Sequence, residues 1–381
     1  MKAFTTTRRG ALAAAGASLA AVSLGARATS AAGSTDPGAA GLFDRFEAGA
    51  QQGLASLKRS RRPRPAPGHG EVLVRSHAAA LNHRDLLIME QRYGAPKPAD
   101  RVLASDGAGE VVAVGPGVRG VTVGMRVTAP HFTGWSDGEF EPGVFAEDMG
   151  VTRDGWLAEY VLLPAAAAVE IPGELGFADA AALGTAGITA WHVLARLGEI
   201  KAGDLVLTLG TGGVSTLALQ IASLHGARVA ITSSKDEKLA LARDLGADIT
   251  VNYRSTPDWG RAVREANGGR GVDIVVETVG LSTLPMSLAT CAPNARVGLL
   301  GGLGGRPEGP TDLLAMIPGN LVLKGITSGS RRMLSELLGA FASNGVRPHI
   351  DRRFAFAETP SALAYLQSGG HVGKIVIEMD A

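Results

Sequence analysis

The strongest chemical signal in this 381-residue chain is the run Leu209-Gly210-Thr211-Gly212-Gly213-Val214-Ser215, which closes an apolar stretch and opens a helical one. Gly210 and Gly212 permit a tight turn. They let a pyrophosphate approach the backbone, where free N–H groups and the helix dipole stabilise the anion. A helix-opening turn with no ligand is the alternative reading. Ser215 stands where a third glycine is usual, which predicts slightly looser helix–sheet packing there. The next strand-like segment ends in Thr232-Ser233-Ser234-Lys235, where an NAD site places an acid for the ribose 2′-hydroxyl. With no carboxylate to repel a 2′-phosphate, and with Ser233, Ser234, Lys238 and Tyr253 or Arg254 able to donate to one, NADP is favoured and NAD stays possible. The alternative is that these are ordinary surface polar residues.

The elements around this run alternate. Strands are expected at 204–209, 228–233, 248–253, 272–279, 295–301 and 321–327, with helices at 214–225 and 236–245. Such alternation with short loops implies right-handed crossovers and a parallel, doubly wound sheet. Before it, from 71 to 163, short β-branched runs are broken by Gly and Pro, which suggests a small antiparallel, barrel-like domain. The basic run Lys58 to Arg64 reads as a solvated strand and proline turn leading into that domain.

A chain of this length exceeds what one hydrophobic core fills, so two domains are expected. It is 45% hydrophobic and 19% charged, which argues against extensive disorder, and its 52 glycines have no Gly-X-Y period. The formal charge of +1 gives no case for nucleic acid. The single cysteine, Cys291, rules out an intramolecular disulfide and any zinc site needing several thiolates.

Residues 1–32 contain Lys2, Arg8, Arg9 and Arg27 and no acid, so the +1 becomes −3 without these four. Between Arg9 and Arg27 lie 17 uncharged residues, followed by the small residues Ser30-Ala31-Ala32. That order, basic then apolar then small, is expected to be a secretory signal. The pair Arg8-Arg9 resembles the twin-arginine motif, which carries folded proteins to the periplasm or outside the cell. The protein is cytoplasmic if the signal does not function. The apolar run is shorter than the ~20 residues a membrane span needs, so no stable membrane insertion is expected after cleavage.

Taken in order, Asn82-His83-Arg84-Asp85, Asp106-Gly107-Ala108-Gly109-Glu110, Gly187-Ile188-Thr189-Ala190-Trp191, the Gly210 loop, Asn252-Tyr253 and Gly373-Lys374-Ile375-Val376-Ile377 resemble the medium-chain dehydrogenase/reductase superfamily. The likeness is to its zinc-independent alcohol dehydrogenase-like and quinone oxidoreductase-like branch and runs from about residue 66 to 381. It implies an α/β architecture: a GroES-like β-barrel catalytic domain, with parts at 33–165 and 328–381, around a Rossmann NAD(P)-binding domain at 166–327. It also implies a small-molecule substrate and a homodimer or homotetramer.

Matching the motifs places Asn82, Ser105 and Thr185 where zinc-dependent relatives carry their metal ligands. None of the three is a good zinc ligand, so no metal is expected. An enzyme without that electrophile is suited to acceptors that are already electron-poor, such as a quinone, an enone or an activated carbonyl, with hydride from NADPH. Asn82 and Tyr93 are the candidate donors to the developing oxyanion, with Thr185 lining the same pocket; Asn82 also reads as a turn residue and Tyr93 as loop packing. His83 and Lys374 match positions that contact the cofactor pyrophosphate, and His83 also reads as a partly buried, hydrogen-bonded histidine. Thr189, Val279, Gly280, Gly301, Gly302 and Ser328 match stretches flanking the nicotinamide. Asp85 reads as an orienting acid. His131-Phe132-Thr133-Gly134-Trp135 reads as a substrate-side loop in which Trp135 alternatively caps the barrel. The competing reading is an exported, non-catalytic dinucleotide-binding protein that keeps the fold.

Overall fold

A strand that is predominantly apolar on both faces must be covered on both, and the segment Leu205–Leu209, apolar but for Thr208, is buried at every residue. The computed structural model describes residues 41–302, 313–314 and 316–379; the expected signal, 1–32, lies outside the described residues. In chain order the described elements are β1 (Leu42–Glu47), β2 (Lys58–Pro63), β3 (Glu71–Leu81), α1 (His83–Met89), β4 (Asp106–Val114), β5 (Arg126–Thr128), β6 (Tyr160–Pro164), β7 (Val169–Glu170), α2 (Phe177–Ala182) and α3 (Thr185–Trp191). Then come β8 (Leu205–Leu209), α4 (Gly213–Leu224), β9 (Arg228–Ser233), α5 (Asp236–Asp244), β10 (Ile249–Asn252), α6 (Trp259–Ala266), β11 (Val272–Glu277), α7 (Leu284–Thr290), β12 (Cys291–Leu299), α8 (Met316–Gly319) and β13 (Val322–Gly325). The chain closes with α9 (Arg331–Ser343), β14 (Ile350–Ala355), α10 (Thr359–Ser368) and β15 (Lys374–Glu378).

β8 to β13 form one parallel sheet in the order β10-β9-β8-β11-β12-β13, with the order reversing between β8 and β11. That reversal is the crevice where doubly wound sheets bind ligands, and the Gly210 turn follows β8 directly into it. Several strand ends differ from the sequence expectation by one to four residues, and two of them have a visible local reason. β11 stops at Glu277 because the N–H groups of Val279 and Gly280 turn back to the Glu277 carboxylate, at 3.0 and 2.9 Å. β12 starts at Cys291 rather than 295 because the chain pairs through Cys291, then shifts register around Asn294, whose φ of 66° interrupts the strand.

The second sheet has the order β14-β15-β3-β4-β5-β7, with β6 also paired to β3. β7 pairs with β5 at Val169 and Glu170, so this sheet continues past the boundary expected at 165. The close approach of β3 and β4 depends on Gly109, where an added Cβ would lie 2.0 Å from the Arg75 carbonyl oxygen. The basic run is the solvated strand expected: β2 pairs antiparallel with β1, and Arg59 and Arg62 meet Asp44 and Glu47 at 2.6 and 3.1 Å. No described helix is long and apolar enough to cross a membrane.

The two sheets touch at the Gly210 turn. Gly373 donates its N–H to the Thr211 carbonyl at 2.9 Å and bridges to Gly212. The looser packing expected at Ser215 is not found: Ser215 is buried, and its hydroxyl donates to the Leu209 carbonyl at 2.8 Å, tying α4 back to β8. Ser215→Ala removes this bond while Thr278 still donates to the same carbonyl; urea unfolding followed by circular dichroism is expected to show a loss of about 1 kcal/mol. No loss would mean that the hydroxyl does not secure the turn.

Candidate active site

Four elements deliver their opening residues to one place. β4 begins with Asp106, α3 with Thr185, β15 with Lys374, and Asn82 immediately precedes α1. Asp106 is fully buried and acts as the hub. Its Oδ1 accepts from the Thr185 backbone N–H at 2.8 Å and the Thr185 hydroxyl at 2.6 Å. Its Oδ2 accepts from Asn82 Nδ2 at 2.7 Å and faces Lys374 Nζ at 3.5 Å. Lys374 Nζ also donates to Asn82 Oδ1 at 2.7 Å and to the Leu81 carbonyl at 2.8 Å.

These partners fix the Asn82 amide. An ionised carboxylate only accepts and an ammonium only donates, so Nδ2 must face Asp106 and Oδ1 must face Lys374. One amide hydrogen of the half-buried Asn82 stays uncommitted. Burial lowers the Lys374 pKa, while Asp106 and Asp85 act to raise it. Ser105, the third residue at a ligand-like position, is buried with its hydroxyl unpartnered.

Asp85 lies behind the hub, wholly buried, with one oxygen accepting the Asn82 N–H at 2.8 Å and the other unpartnered. Burial pushes its pKa up to about 6, against the pull of the Asn82 N–H and Arg84. Neighbouring Arg84 is also buried, donating to Asp148 at 2.6 Å, with Nη1 2.6 Å from His131 Nδ1 and the Tyr93 ring 4.6 Å away. His131 Nδ1 lies 2.9 Å from Asp148 as well. Burial and then Arg84 lower the His131 pKa. This charged cluster anchors α1 to the 131–135 loop. Trp135 does not cap the barrel: it joins Phe132 and Val144 in a small separate cluster.

At the dinucleotide crevice Gly210 has φ 74°, which only glycine adopts freely. Gly212 has an ordinary φ of −78°, and an added Cβ there would meet nothing within 4 Å. Neither backbone strain nor any described protein atom accounts for a glycine at 212. Open space where α4 begins is what the residue preserves. On the far side Glu277, fully buried, accepts from Val279, Gly280, Thr283 and Ser287 and so shapes the 279–280 turn. Gly301 closes on it so tightly that a Cβ would sit 1.9 Å from the Thr278 carbonyl oxygen. Ser328, at φ 76°, accepts from His192 Nδ1 at 2.6 Å and keeps its own hydroxyl buried and unpartnered. Thr189 donates to the Thr185 carbonyl at 2.6 Å. Gly302 is exposed, next to residues 303–312, which lie outside the described residues.

The sequence-expected residues thus fall into two groups that meet under the Gly210 turn. Two placements differ from expectation. The Lys374 ammonium is not aimed at a pyrophosphate; its stem lies under Gly213, where a Cβ would be 2.7 Å from Lys374 Cδ, and its charge is held in the Asp106 hub. Thr185, expected to line the pocket, donates its hydroxyl to Asp106. Lys238, expected to face a 2′-phosphate, donates to the Gly369 and His371 carbonyls at 2.6 and 2.9 Å. Ser233 is buried, Ser234 half-buried and Tyr253 exposed at the ends of β9 and β10; His83 is exposed at the start of α1. Tyr93 is half-buried, its pKa raised by burial so that the phenol keeps its proton. Asp106 and Glu277 were not singled out by sequence reasoning. Asp106 stood in a quoted motif, but only the fold reveals what it collects.

Comparison with known proteins follows the same two lobes. Residues 68–173 match the model of the alcohol dehydrogenase GroES-like domain, and 213–343 match that of the zinc-binding dehydrogenases. A zinc-type alcohol dehydrogenase-like protein of Schizosaccharomyces pombe is 39% identical over 318 residues, covering 82% of this chain and 91% of that one. A Sinorhizobium meliloti structure provisionally assigned as an alcohol dehydrogenase superposes with TM-score 0.82 at 38% identity, covering 89% of this chain and 99% of its own. Two mycobacterial structures at 28% identity, one named a quinone oxidoreductase and one complexed with NADPH, have TM-scores of 0.73, covering 89% and 88% of this chain and 100% of theirs.

The raised pKa of Asp85 has a stability consequence. Between the ordinary value of 3.8 and about 6 the folded chain holds this proton more tightly than the unfolded chain, so the group's stabilising contribution is lost as pH rises through that window. From pH 4.5 to 7 the loss is on the order of 2 kcal/mol. Asp85→Asn is expected to gain that much relative to the parent over the same interval, measured by urea unfolding at both pH values. A difference between parent and Asp85→Asn that is constant with pH would contradict the assignment.

Proposed function

Because this chain belongs to the zinc-type alcohol dehydrogenase-like oxidoreductases of the medium-chain dehydrogenase/reductase superfamily, and is an NAD(P)-dependent oxidoreductase, we propose that it transfers hydride between NADPH and a quinone, enone or other activated carbonyl without a catalytic metal. The observation that carries this reading is the Asp106 hub. A zinc ion needs three or four thiolate, imidazole or carboxylate donors. At the three family ligand positions stand an amide, a buried hydroxyl and a hydroxyl already donating to Asp106, and a lysine ammonium sits among them. No group of three His, Cys, Asp or Glu able to hold a metal occurs among the described residues. This donor set does not fit zinc.

The chain's own residues supply the remaining chemistry. Gly212 leaves the N–H groups at the start of α4 open to a diphosphate, and Glu277 holds the 279–280 turn on the nicotinamide side. NADPH, when bound, supplies the hydride. The free amide hydrogen of Asn82 is the donor to the acceptor's oxygen, and Lys374 on Asn82 Oδ1 polarises that amide so that its N–H is the stronger donor. Tyr93 keeps a phenolic proton beside the same helix. The preference for an electron-poor acceptor follows, because one polarised amide withdraws less charge than a metal ion. NADPH is favoured over NADH because Ser233 and Ser234 end β9 with no acid; the mycobacterial NADPH complex is consistent with that choice.

Purified protein is expected to oxidise NADPH with a simple quinone or enone at a rate unchanged by strong chelators, and Asn82→Ala is expected to lower kcat by about 100-fold. Loss of activity on chelation would overturn the metal-free reading. We further read residues 1–32 as a cleaved export signal; N-terminal sequencing of protein secreted by the native host should begin near residue 33, and a start at Met1 would contradict this.

A further inference from the structure

Between α10 and β15 the chain runs Gly369-Gly370-His371-Val372-Gly373 across the edge of the dinucleotide crevice. It is pinned at both ends. Lys238 donates to the carbonyls of Gly369 and His371, and Gly373 bonds to Thr211 and bridges to Gly212. The His371 side chain is therefore carried beside the Gly210 turn by an immobilised strap. It is half-buried, and its Nδ1 is buried without a partner.

What surrounds this imidazole is mostly positive. The charges of Lys238 on α5 and Lys374 on β15, and His83 on α1 when protonated, all act to lower its pKa, and Lys235 acts the same way on Lys238. The one carboxylate facing it, Asp351 on β14, has both oxygens engaged, accepting from Val372 N–H at 3.0 Å and from the Tyr365 hydroxyl at 2.8 Å. The Tyr365 ring stands 6.3 Å away, with Arg352 stacked on it. Burial, then Lys238, hold the free His371 pKa down to about 4. A buried ring nitrogen without a partner, close to the charges of Lys238 and Lys374 and carried on a strap joined to Thr211 and Gly212, is arranged to meet an anion.

We infer that His371 is a phosphate ligand of the dinucleotide that takes up a proton when the cofactor binds, changing from a neutral imidazole in the free protein to a cation against the diphosphate. The proton comes from the buffer, and nothing is oxidised or reduced. The inference rests on the dinucleotide-binding reading and adds to it a residue and a linkage. Its sign is fixed: a group whose pKa is higher in the complex favours binding at low pH, so affinity falls as pH rises through the bound-state value. If the bound imidazole recovers its ordinary 6.5, His371 strengthens binding about tenfold at pH 5.5 and scarcely at all at pH 8.

The test is calorimetric titration of NADP⁺ into the full chain and into His371→Asn at pH 6, in buffers of different ionisation enthalpy, with affinities also measured at pH 5.5 and 8. Titration of the cofactor's own phosphate is common to both proteins. At pH 6 the parent is expected to take up more protons than His371→Asn does, by about half a proton or more per cofactor bound. It should also bind about tenfold tighter than His371→Asn at pH 5.5, and within about twofold at pH 8. Equal proton uptake, or an affinity ratio constant with pH as a mere packing role would give, overturns the inference and leaves the oxidoreductase reading standing. Failure of the parent to bind NADP⁺ overturns both. His371→Gln, judged by the same outcomes, replaces His371→Asn if that protein does not fold.

Discussion

The buried contact between Lys374 and Asp106 constrains both halves of the molecule. One charge comes from β15, near the end of the chain, and the other from β4, 268 residues earlier. Two buried charges 3.5 Å apart are tolerated only when their remaining valences are filled, and here Asn82, Leu81 and Thr185 fill them. Removing either partner would leave an uncompensated charge in the interior, at a cost of about 3–5 kcal/mol. The pair thus fixes Asn82 at the head of α1 and Thr185 at the head of α3. Through the stem of Lys374 under Gly213, it also fixes the catalytic sheet against the dinucleotide turn.

This arrangement explains why the site is polar yet rigid. Asp106 has no unfilled acceptor position pointing away from its cluster, Thr185 has spent its proton, and Lys374 has spent its charge. Only Asn82 retains a donor. The chemistry such a centre supports is narrow: one oriented, polarised hydrogen bond to an oxygen that gains negative charge, beside a crevice built for a dinucleotide. The second buried cluster, Arg84 with Asp148 and His131, holds α1 from the opposite side, so Asn82 is braced from both directions.

Much of the fold was legible because it is written in local pattern. Alternating apolar runs and helices pointed to the parallel sheet, and the Gly210 turn to its ligand-binding edge; strand ends moved by a few residues, at β11 because the Glu277 side chain turns the chain and at β12 because Asn294 adopts a positive φ. The site was legible in composition but not in connection. Asn82, Thr185 and Lys374 are recognisable by motif. That all three turn toward Asp106 depends on β3, β4, α3 and β15 meeting, which no local spacing encodes. The same limit explains why Lys374, by its family position, and Lys238, by its place after an acid-free strand end, were expected at phosphates: the fold supplies an aspartate to one and two carbonyls to the other. Ser215 reverses the direction of a sequence rule for the same reason, because a hydroxyl in place of glycine found a carbonyl to bind.

On this account the ammonium of Lys374, held between Asn82 and Asp106, is the positive charge of the site and no metal ion joins it. The most direct test is a crystal structure of the protein, purified without chelators and grown with zinc and NADPH, using anomalous data collected on both sides of the zinc absorption edge. The account predicts no anomalous peak among Asn82, Ser105 and Thr185, with Lys374 Nζ within hydrogen-bonding distance of Asn82 Oδ1. A zinc peak coordinated there, with Lys374 displaced, would contradict it.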